Sequence, residues 1–112
     1  MFWKKIAESR DELFQSGKEL TEIDVDGRTL CIGIHQEKLK ACAAKCPHAG
    51  GKMAAGYVDA LGNIVCPLHR YKFSFESGRN VTGEGYFLKI YKVEERSDGI
   101  FIGMEEKKGL FG

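Results

Sequence analysis

Two short stretches of the chain combine cysteine with histidine in a pattern suited to metal binding. CPHAGG begins at Cys46 and places His48 two residues later, and CPLHRY begins at Cys66 and places His69 three residues later. These positions use two of the three histidines in the 112-residue chain. Two thiolates and two imidazoles suit either tetrahedral zinc or an iron–sulfur cluster.

The order of the ligands favours a cluster of two irons. Zinc sites commonly group like ligands, with cysteines close together on one turn and histidines on one helix. Here each stretch carries one residue of each kind, so each loop can span a two-iron cluster. Both cysteines then bind one iron and both histidines bind the other. Replacing two thiolates by imidazoles raises the reduction potential to roughly −150 to +300 mV. Zinc remains the alternative at this point.

The elements that must position these loops are predicted to be strands joined by turns. Asp26-Gly27 lies between two runs rich in β-branched residues and predicts a hairpin. Tyr71, Phe73 and Phe75 alternate with polar residues, as in a half-buried strand. Strands or hairpins are predicted within 2–6, 20–25, 29–34, 38–44, 56–66, 71–77, 85–95 and 98–104. A brief helix is predicted within 5–14, so the class is mainly β.

Composition excludes several functions. Seventeen basic residues nearly balance 16 acidic ones and form no long basic tract, so nucleic acid is not an expected partner. No apolar run approaches the about 20 residues of a membrane span. The charged start MFWKKIAESRDELF has no secretory signal pattern, so a cytoplasmic location is expected. In a reducing compartment, the four cysteines are expected to bind metal or to be buried rather than to form disulfides.

The two stretches together resemble the signature of Rieske-type [2Fe-2S] proteins. CPHAGGKMAAG and CPLHRYKFSFESG follow the family pattern CPHxGxxLxxG, a spacer, then CPxHxxxFxxxxG, with Met53 in the leucine position. The flanking segment DELFQSGKELTEIDVDGRTLCIGI resembles the N-terminal sheet of small Rieske ferredoxins, so the resemblance covers roughly 2–104. It implies one [2Fe-2S] cluster, with Cys46 and Cys66 on the buried iron and His48 and His69 on the solvent-facing iron.

The resemblance also implies a fold and a division of the chain. The expected fold is an all-β, Rieske-like antiparallel β-sandwich that forms a single domain over 1–112. A small cluster-binding lobe is expected at about 43–76, and the tail 105–112 is expected to be loosely ordered.

Departures from the family pattern predict a low potential. High-potential Rieske proteins carry an extra cysteine in each loop and a serine after the second histidine. This chain has Gly50-Gly51 and Leu68 at the cysteine positions and Arg70-Tyr71 at the serine position. Fewer hydrogen bonds to the cluster sulfurs lower the potential. The low-potential branch is therefore predicted, similar to ferredoxins that serve ring-hydroxylating oxygenases.

Other notable side chains have simpler interpretations. Cys31 and Cys42 lie in predicted strands and are expected to be buried free thiols. Met53 and Leu68 are expected near the loop tips, both shielding the cluster and contacting a partner. His35 is expected at the surface, at the end of a strand.

The sequence thus predicts an electron carrier rather than an enzyme. A reductase would donate single electrons, and an oxygenase or another redox enzyme would accept them through brief contacts. A monomer is expected. Three alternatives stay open: a small accessory subunit like that of nitrite reductase, an iron–sulfur redox sensor and a zinc-bound structural module.

Overall fold

The computed structural model describes residues 2–14, 19–47, 50–83 and 85–104, and most of its regular structure is β. In chain order the elements are β1 (Phe2–Ala7), α1 (Arg10–Leu13), β2 (Leu20–Val25), β3 (Arg28–His35), β4 (Lys38–Ala43), a 3-10 helix (Met53–Ala55), β5 (Tyr57–Val58), β6 (Asn63–Val65), β7 (Lys72–Ser74), β8 (Ile90–Tyr91), β9 (Val93–Arg96) and β10 (Gly99–Met104). The all-β prediction is confirmed, and the brief helix lies within the segment that predicted it.

Two antiparallel sheets form a sandwich. One has the strand order β1-β10-β9 and the other has the order β2-β3-β4-β8. The core between them is built from aliphatic side chains of both sheets, with α1 covering one end through Leu13. Its buried members are Ala7, Leu13, Val25, Leu30, Ile32, Leu39, Ala41, Tyr91, Ile100, Ile102 and Met104. Because successive strand residues point to opposite faces, these residues account for only one side of β3 and β4.

A third sheet, in the order β5-β6-β7, packs with the other side of β3 and β4 through a second core. Cys31 lies in this second core with Phe73 and Phe75. Gly33 is required here because a Cβ atom on it would lie 2.8 Å from the Phe75 ring. Strand β3 is therefore covered on both faces, which explains its continuous apolar run LCIGI.

Of the two hairpin turns that flank β3, only one has residues that favour the turn conformation. Asp26 and Gly27 have φ of 51° and 81°, so the predicted turn between β2 and β3 forms. Gln36 and Glu37, between β3 and β4, also have positive φ, at 50° and 69°. Neither residue type favours that conformation, so register and sheet packing must hold this turn.

One strand prediction is wrong. The segment 85–95 does not form a single strand, because the chain changes sheets at Lys92. Ile90–Tyr91 pairs with β4, whereas Val93–Arg96 pairs with β10. The two halves bury their side chains against different layers, which breaks the alternation expected of one strand. Phe87, assigned to that strand, is 70% exposed.

Two further expectations concern membrane spans and the C-terminal tail. No helix within them is long and apolar enough to cross a membrane. The predicted loose tail at 105–112 lies outside the described residues.

Candidate metal centre

The two cysteine–histidine stretches fold as loops with the same backbone closure. The N–H of Cys46 donates to the carbonyl of Gly51 at 2.8 Å, and the N–H of Cys66 donates to the carbonyl of Tyr71 at 2.9 Å. Each closure joins a cysteine to the residue five positions later. The first loop (46–51) and the second loop (66–71) are therefore six-residue loops that begin with a cysteine at the neck.

Short ladders hold both necks. Below the first loop, Lys45 pairs with Lys52, and the N–H of Met53 donates to the carbonyl of Ala44 at 2.9 Å. The second loop connects β6 to β7, and its neck is the pair of Val65 with Lys72. The loops thus extend from hydrogen-bonded strand ends, which fixes the positions of their cysteines.

The two thiols meet in the second core. Cys46 is 3% exposed and Cys66 is 0% exposed, and both belong to the same buried cluster. Burial raises the pKa of the Cys66 thiol, as does the Cys46 side chain, while backbone N–H groups of Leu68 and Gly51 directed at its sulfur act in the opposite sense. The net direction is upward, so a metal that binds here must displace protons from neutral thiols.

The backbone of the first loop packs directly on the second loop. A Cβ atom on Gly51 would lie 3.1 Å from the sulfur of Cys66 and 3.0 Å from Cγ of Leu68. Gly51 is buried, so no other side chain fits at this position without displacing its neighbours. The absence of a side chain lets a backbone N–H reach the Cys66 sulfur. Sulfur ligands of clusters commonly receive such hydrogen bonds.

His69 occupies a very different environment from the thiols. It is exposed in the second loop, and its ring lies 5.9 Å from the Tyr71 ring at a tilt of 37°. His69 and the following Arg70 have φ of 62° and 56°. For residues other than glycine, this left-handed conformation costs roughly 1–2 kcal/mol each. The loop therefore holds His69 at the surface in a strained backbone.

The described donors fit a two-iron cluster. Cys46 and Cys66 supply two adjacent buried sulfurs, and His69 supplies an imidazole on the exposed side. His48 lies outside the described residues. Within the described ranges, no group of three or more His, Cys, Asp and Glu side chains is placed to hold a metal ion. A cluster whose sulfur and nitrogen ligands bind different irons does not need all of them to converge on one ion.

The remaining cysteines confirm their simpler interpretation. Cys31 and Cys42 are free, fully buried and directly opposite each other on β3 and β4. A hydrogen bond with the Cys31 thiol raises the pKa of Cys42, and burial raises it further. Two neutral buried thiols are unreactive, so they serve as small core residues.

The two apolar residues expected at the loop tips differ from each other. Met53 is fully buried in the second core, so the predicted partner contact by Met53 is wrong. It begins the 3-10 helix that turns the chain inward after the first loop. Leu68 is 47% exposed and can contact a partner. His35 ends β3 and is half-buried, with its ring against Gly62.

Sequence reasoning missed Asp59 as a support for the second loop. Its carboxylate accepts hydrogen bonds from the N–H groups of Leu61 at 3.0 Å and Asn63 at 2.9 Å, and lies 3.5 Å from Nζ of Lys72. Burial alone would raise the pKa of Asp59, but these hydrogen bonds and Lys72 outweigh it and lower the pKa. The available signal was Asp59 three residues before Gly62-Asn63, since Asp side chains commonly accept hydrogen bonds from the backbone of a turn.

Comparison with known proteins identifies a family for this chain. A family model described as Rieske [2Fe-2S] domain matches residues 2–87. A curated human Rieske domain-containing protein is 26% identical over 91 residues, 79% of this chain and 54% of the human protein. The chain thus spans about half the length of that relative.

Two solved structures are similar in fold. The ferredoxin of carbazole 1,9a-dioxygenase from Nocardioides aromaticivorans IC177 matches with a TM-score of 0.77 and 22% identity, covering 94% of this chain and 100% of that one. A putative small subunit of NADPH nitrite reductase matches with a TM-score of 0.78 and 18% identity, covering 93% of this chain and 100% of that one. Both likenesses confirm the β-sandwich fold.

Proposed function

Because the chain belongs to the family of Rieske [2Fe-2S] domains and carries one [2Fe-2S] cluster, we propose that it shuttles single electrons between proteins. Cys46 and Cys66 bind the buried iron, and His48 and His69 bind the iron nearest to solvent. When bound, the cluster accepts one electron and releases it again. The protein itself catalyses no bond-making step, since all four outer positions of the cluster are filled by protein ligands.

The observation that carries this proposal is the contrast in exposure within one pair of loops. The thiols of Cys46 and Cys66 are buried together, whereas His69 is exposed. An electron carrier needs a cofactor that is shielded from bulk water but has one edge within reach of a partner. The shielding side is supplied by the second core, and the reachable side by the histidine end of the loops.

The residues around the thiols set the properties of the site. N–H groups of Gly51 and Leu68 stabilise negative charge on the Cys66 sulfur. Cys46 and Cys66 form no disulfide, and neither loop contains a second cysteine for a disulfide between the loops. We propose a midpoint potential in the lower part of the Rieske range, about −150 mV rather than +300 mV.

We propose a reductase as the donor and an oxygenase or another redox enzyme as the acceptor. The ferredoxin of carbazole 1,9a-dioxygenase, which has the same fold, supports an oxygenase acceptor. The fold shared with a nitrite reductase small subunit keeps an accessory-subunit role as the second candidate. A monomer in the cytoplasm and a cluster-binding lobe over about 43–76 are parts of the same proposal.

The ligand assignment is tested with the three histidines as a matched set. His48→Ala, His69→Ala and His35→Ala proteins are purified anaerobically, and iron, inorganic sulfide and one-electron uptake are measured for each. We expect the first two variants to lose the native visible spectrum and most of the electron uptake. His35→Ala should keep both, because His35 packs on Gly62 rather than near the thiols.

A shuttle and an accessory subunit differ in turnover. The reduced protein is mixed with a limiting amount of a candidate acceptor enzyme and an excess of reductase and NADPH. A shuttle passes many electrons per molecule, whereas an accessory subunit stays bound and does not exchange between acceptor molecules. Zinc without sulfide in the purified protein, or full electron uptake by His69→Ala, would contradict the proposal.

A further inference from the structure

The exposed face around the two loop necks is basic. Lys45 and Lys52 are paired directly across the neck of the first loop, and both are exposed. Like charges on opposed strand residues lie close together and destabilise the pairing. Among the described carboxylates, none lies within ion-pair distance of either lysine. Within the described part of the chain, these two cations beside the loop that begins with Cys46 are therefore not neutralised.

Arg70 adds a third cation on the second loop. It has a φ of 56°, and Gly50, at the same fifth position of the first loop, has a φ of 71°. Glycine adopts this conformation without strain, so the second loop keeps an arginine where the backbone favours glycine. Arg70 is exposed, and no described carboxylate forms an ion pair with it. We call Lys45, Lys52 and Arg70 the basic face.

Acidic residues are scarce in this part of the sequence. Between Glu37 and Glu76 the chain has six lysines and arginines and only one acidic residue, Asp59. Asp59 is already used by Lys72 and by the turn before β6. The positive potential of the basic face therefore has no nearby acidic residue in the sequence to offset it.

Exposed apolar side chains accompany the basic face. Leu68 is exposed between Cys66 and Arg70 on the second loop. Tyr57 pairs with Val65 at the neck of that loop, and the N–H of Val81 donates to the carbonyl of Lys72 at 2.9 Å on its other side. Tyr57 and Val81 are exposed, so apolar groups flank both sides of the second loop. Apolar groups surrounded by charges are typical of transient protein contacts.

The rest of the molecule has the opposite charge. The sandwich part of the chain, residues 2–43 and 90–104, contains nine basic and eleven acidic residues, a net charge of −2. The ligand region, residues 44–89, contains six basic and three acidic residues, a net charge of +3 with neutral histidines. A near-neutral chain is thus divided into oppositely charged parts. Such a division orients the molecule in the field of a charged partner.

We propose that the redox partner of this protein binds the basic face through a ring of carboxylates around an apolar centre. The inference rests on the electron-transfer function proposed above and specifies the chemistry of the partner. Carboxylates neutralise the Lys45–Lys52 pair, and the apolar centre covers Leu68. Docking in this orientation places the acidic partner next to His69. The distance for electron transfer between the partner and the cluster is shortest there.

A carboxylate-terminated monolayer on gold reproduces the acidic partner surface without requiring the partner itself. The holoprotein is adsorbed at low ionic strength on this surface and on an amine-terminated one, and the electron-transfer rate is measured by voltammetry. The carboxylate surface should bind the basic face and give a rate at least about tenfold higher, because the amine surface binds the acidic sandwich. Raising the salt to 1 M shortens the screening length from about 30 Å to about 3 Å and should remove the difference.

Charge-reversed variants locate the effect. Lys45→Glu, Lys52→Glu and Arg70→Glu should each reduce the carboxylate-to-amine rate ratio severalfold. Lys92→Glu, an exposed lysine of the sandwich region, is the matched control and should leave the ratio unchanged. Arg70→Gly should reduce the ratio, even though glycine relieves the backbone strain at this position. Arg70→Lys keeps the charge and should keep the ratio of the unchanged protein. These two variants separate the charge of Arg70 from its backbone strain.

The outcomes separate this inference from the proposed function. Equal rates on both surfaces, or an equal effect of Lys92→Glu and Lys45→Glu, would overturn the acidic-partner inference while the cluster still takes up one electron. Concentration-dependent self-association that Lys45→Glu abolishes would assign the face to a second copy of this chain and also overturn it. Absence of a reducible cluster in solution would overturn the proposed function itself.

Discussion

The sandwich and the ligand region differ in how their charged side chains are paired. In the sandwich, charged side chains are joined in pairs, as in Lys4 with Asp26 at 3.2 Å and Arg10 with Glu95 at 2.6 Å. In the ligand region, Lys45 is placed opposite Lys52 with no described carboxylate beside them. The Lys45–Lys52 opposition is thus an unfavourable feature of the ligand region that an acidic partner would offset.

Apolar exposure shows the same difference. Among the described residues, seven large apolar side chains are exposed, and six of them lie in the ligand region. Phe2 alone lies in the sandwich. Both regions contain non-glycine residues with positive φ, but at different kinds of position. In the sandwich, non-glycine residues with positive φ lie in hairpin turns, whereas His69 and Arg70 have it within a ligand loop. Strain and exposure in one place are typical of functional surfaces.

The largest effect is expected when the cysteines of the two regions are compared. Cys46→Ser and Cys66→Ser should each abolish cluster binding, because both thiolates are the proposed ligands of the buried iron. Cys31→Ala and Cys42→Ala should retain full iron and sulfide content, because these thiols only fill the core. Iron and sulfide per protein chain are the measurement. A cluster lost in Cys31→Ala but kept in Cys66→Ser would reverse the ligand assignment.

Gly51→Ala should be the most damaging small change at the contact between the loops. The added Cβ would lie 3.1 Å from the Cys66 sulfur, so the loops must separate, at a cost of about 1–3 kcal/mol. Cluster loading should fall as well. Gly27→Ala in the sandwich has open space around it and φ of 81°, so it should cost only the about 1–2 kcal/mol of backbone strain.

The two substitutions are compared by denaturant unfolding and by the half-life of the visible spectrum. Gly27→Ala should lower stability without shortening the life of the cluster, whereas Gly51→Ala should shorten it. Equal cluster lifetimes in the two variants would show that the close contact at Gly51 does not support the site.

Asp59→Ala should weaken the ligand region by about 1.5–3 kcal/mol, since hydrogen bonds to a charged group are lost at a turn. The pKa of Asp59 is lowered in the folded protein, so its stabilising effect is present above its unfolded pKa of about 3.9 and is lost as the pH falls towards the lower folded value. Unfolding measured from pH 6 down to pH 3 should show a smaller acid sensitivity in Asp59→Asn. An unchanged acid profile in that variant would exclude Asp59 as the cause.

The smallest effect is expected for the Arg10–Glu95 pair of the sandwich. Its two hydrogen bonds measure 2.8 Å and 2.6 Å and lower the pKa of Glu95, but both side chains are partly exposed. Exposed pairs contribute about 0–1 kcal/mol. A double-mutant cycle with Arg10→Ala and Glu95→Ala should give a coupling within that range and no change in cluster content. A change in cluster content would mean that the two regions are not energetically separate.

How much the sequence predicts depends on whether a signal is local. The Asp26-Gly27 turn and the alternation of Phe73 with Phe75 follow from side-chain and backbone preferences within a few residues. The spacing of Cys46 and Cys66 predicts paired loops, which the structure brings together. The sheet change at Lys92 and the turn at Gln36 depend on which layers the strands meet, so no local pattern reveals them.

The candidate site shows the same limit. Met53 lies near the first loop in the sequence, which suggests an exposed tip residue. Its burial follows from the hydrogen bond of its N–H with the Ala44 carbonyl and from the 3-10 helix that it begins. The opposition of Lys45 and Lys52 appears only once the first loop closes, because the two lysines are seven positions apart. Charge patterns that require loop closure are invisible in a linear sequence. His48 lies outside the described residues, so its role stays a prediction.

The most direct test of a one-electron Rieske carrier is the midpoint potential of the anaerobically purified protein, measured by voltammetry across pH. We expect a reversible one-electron wave towards the lower end of the range of about −150 to +300 mV. A protein that contains zinc and shows no wave at any pH would contradict the electron-transfer function.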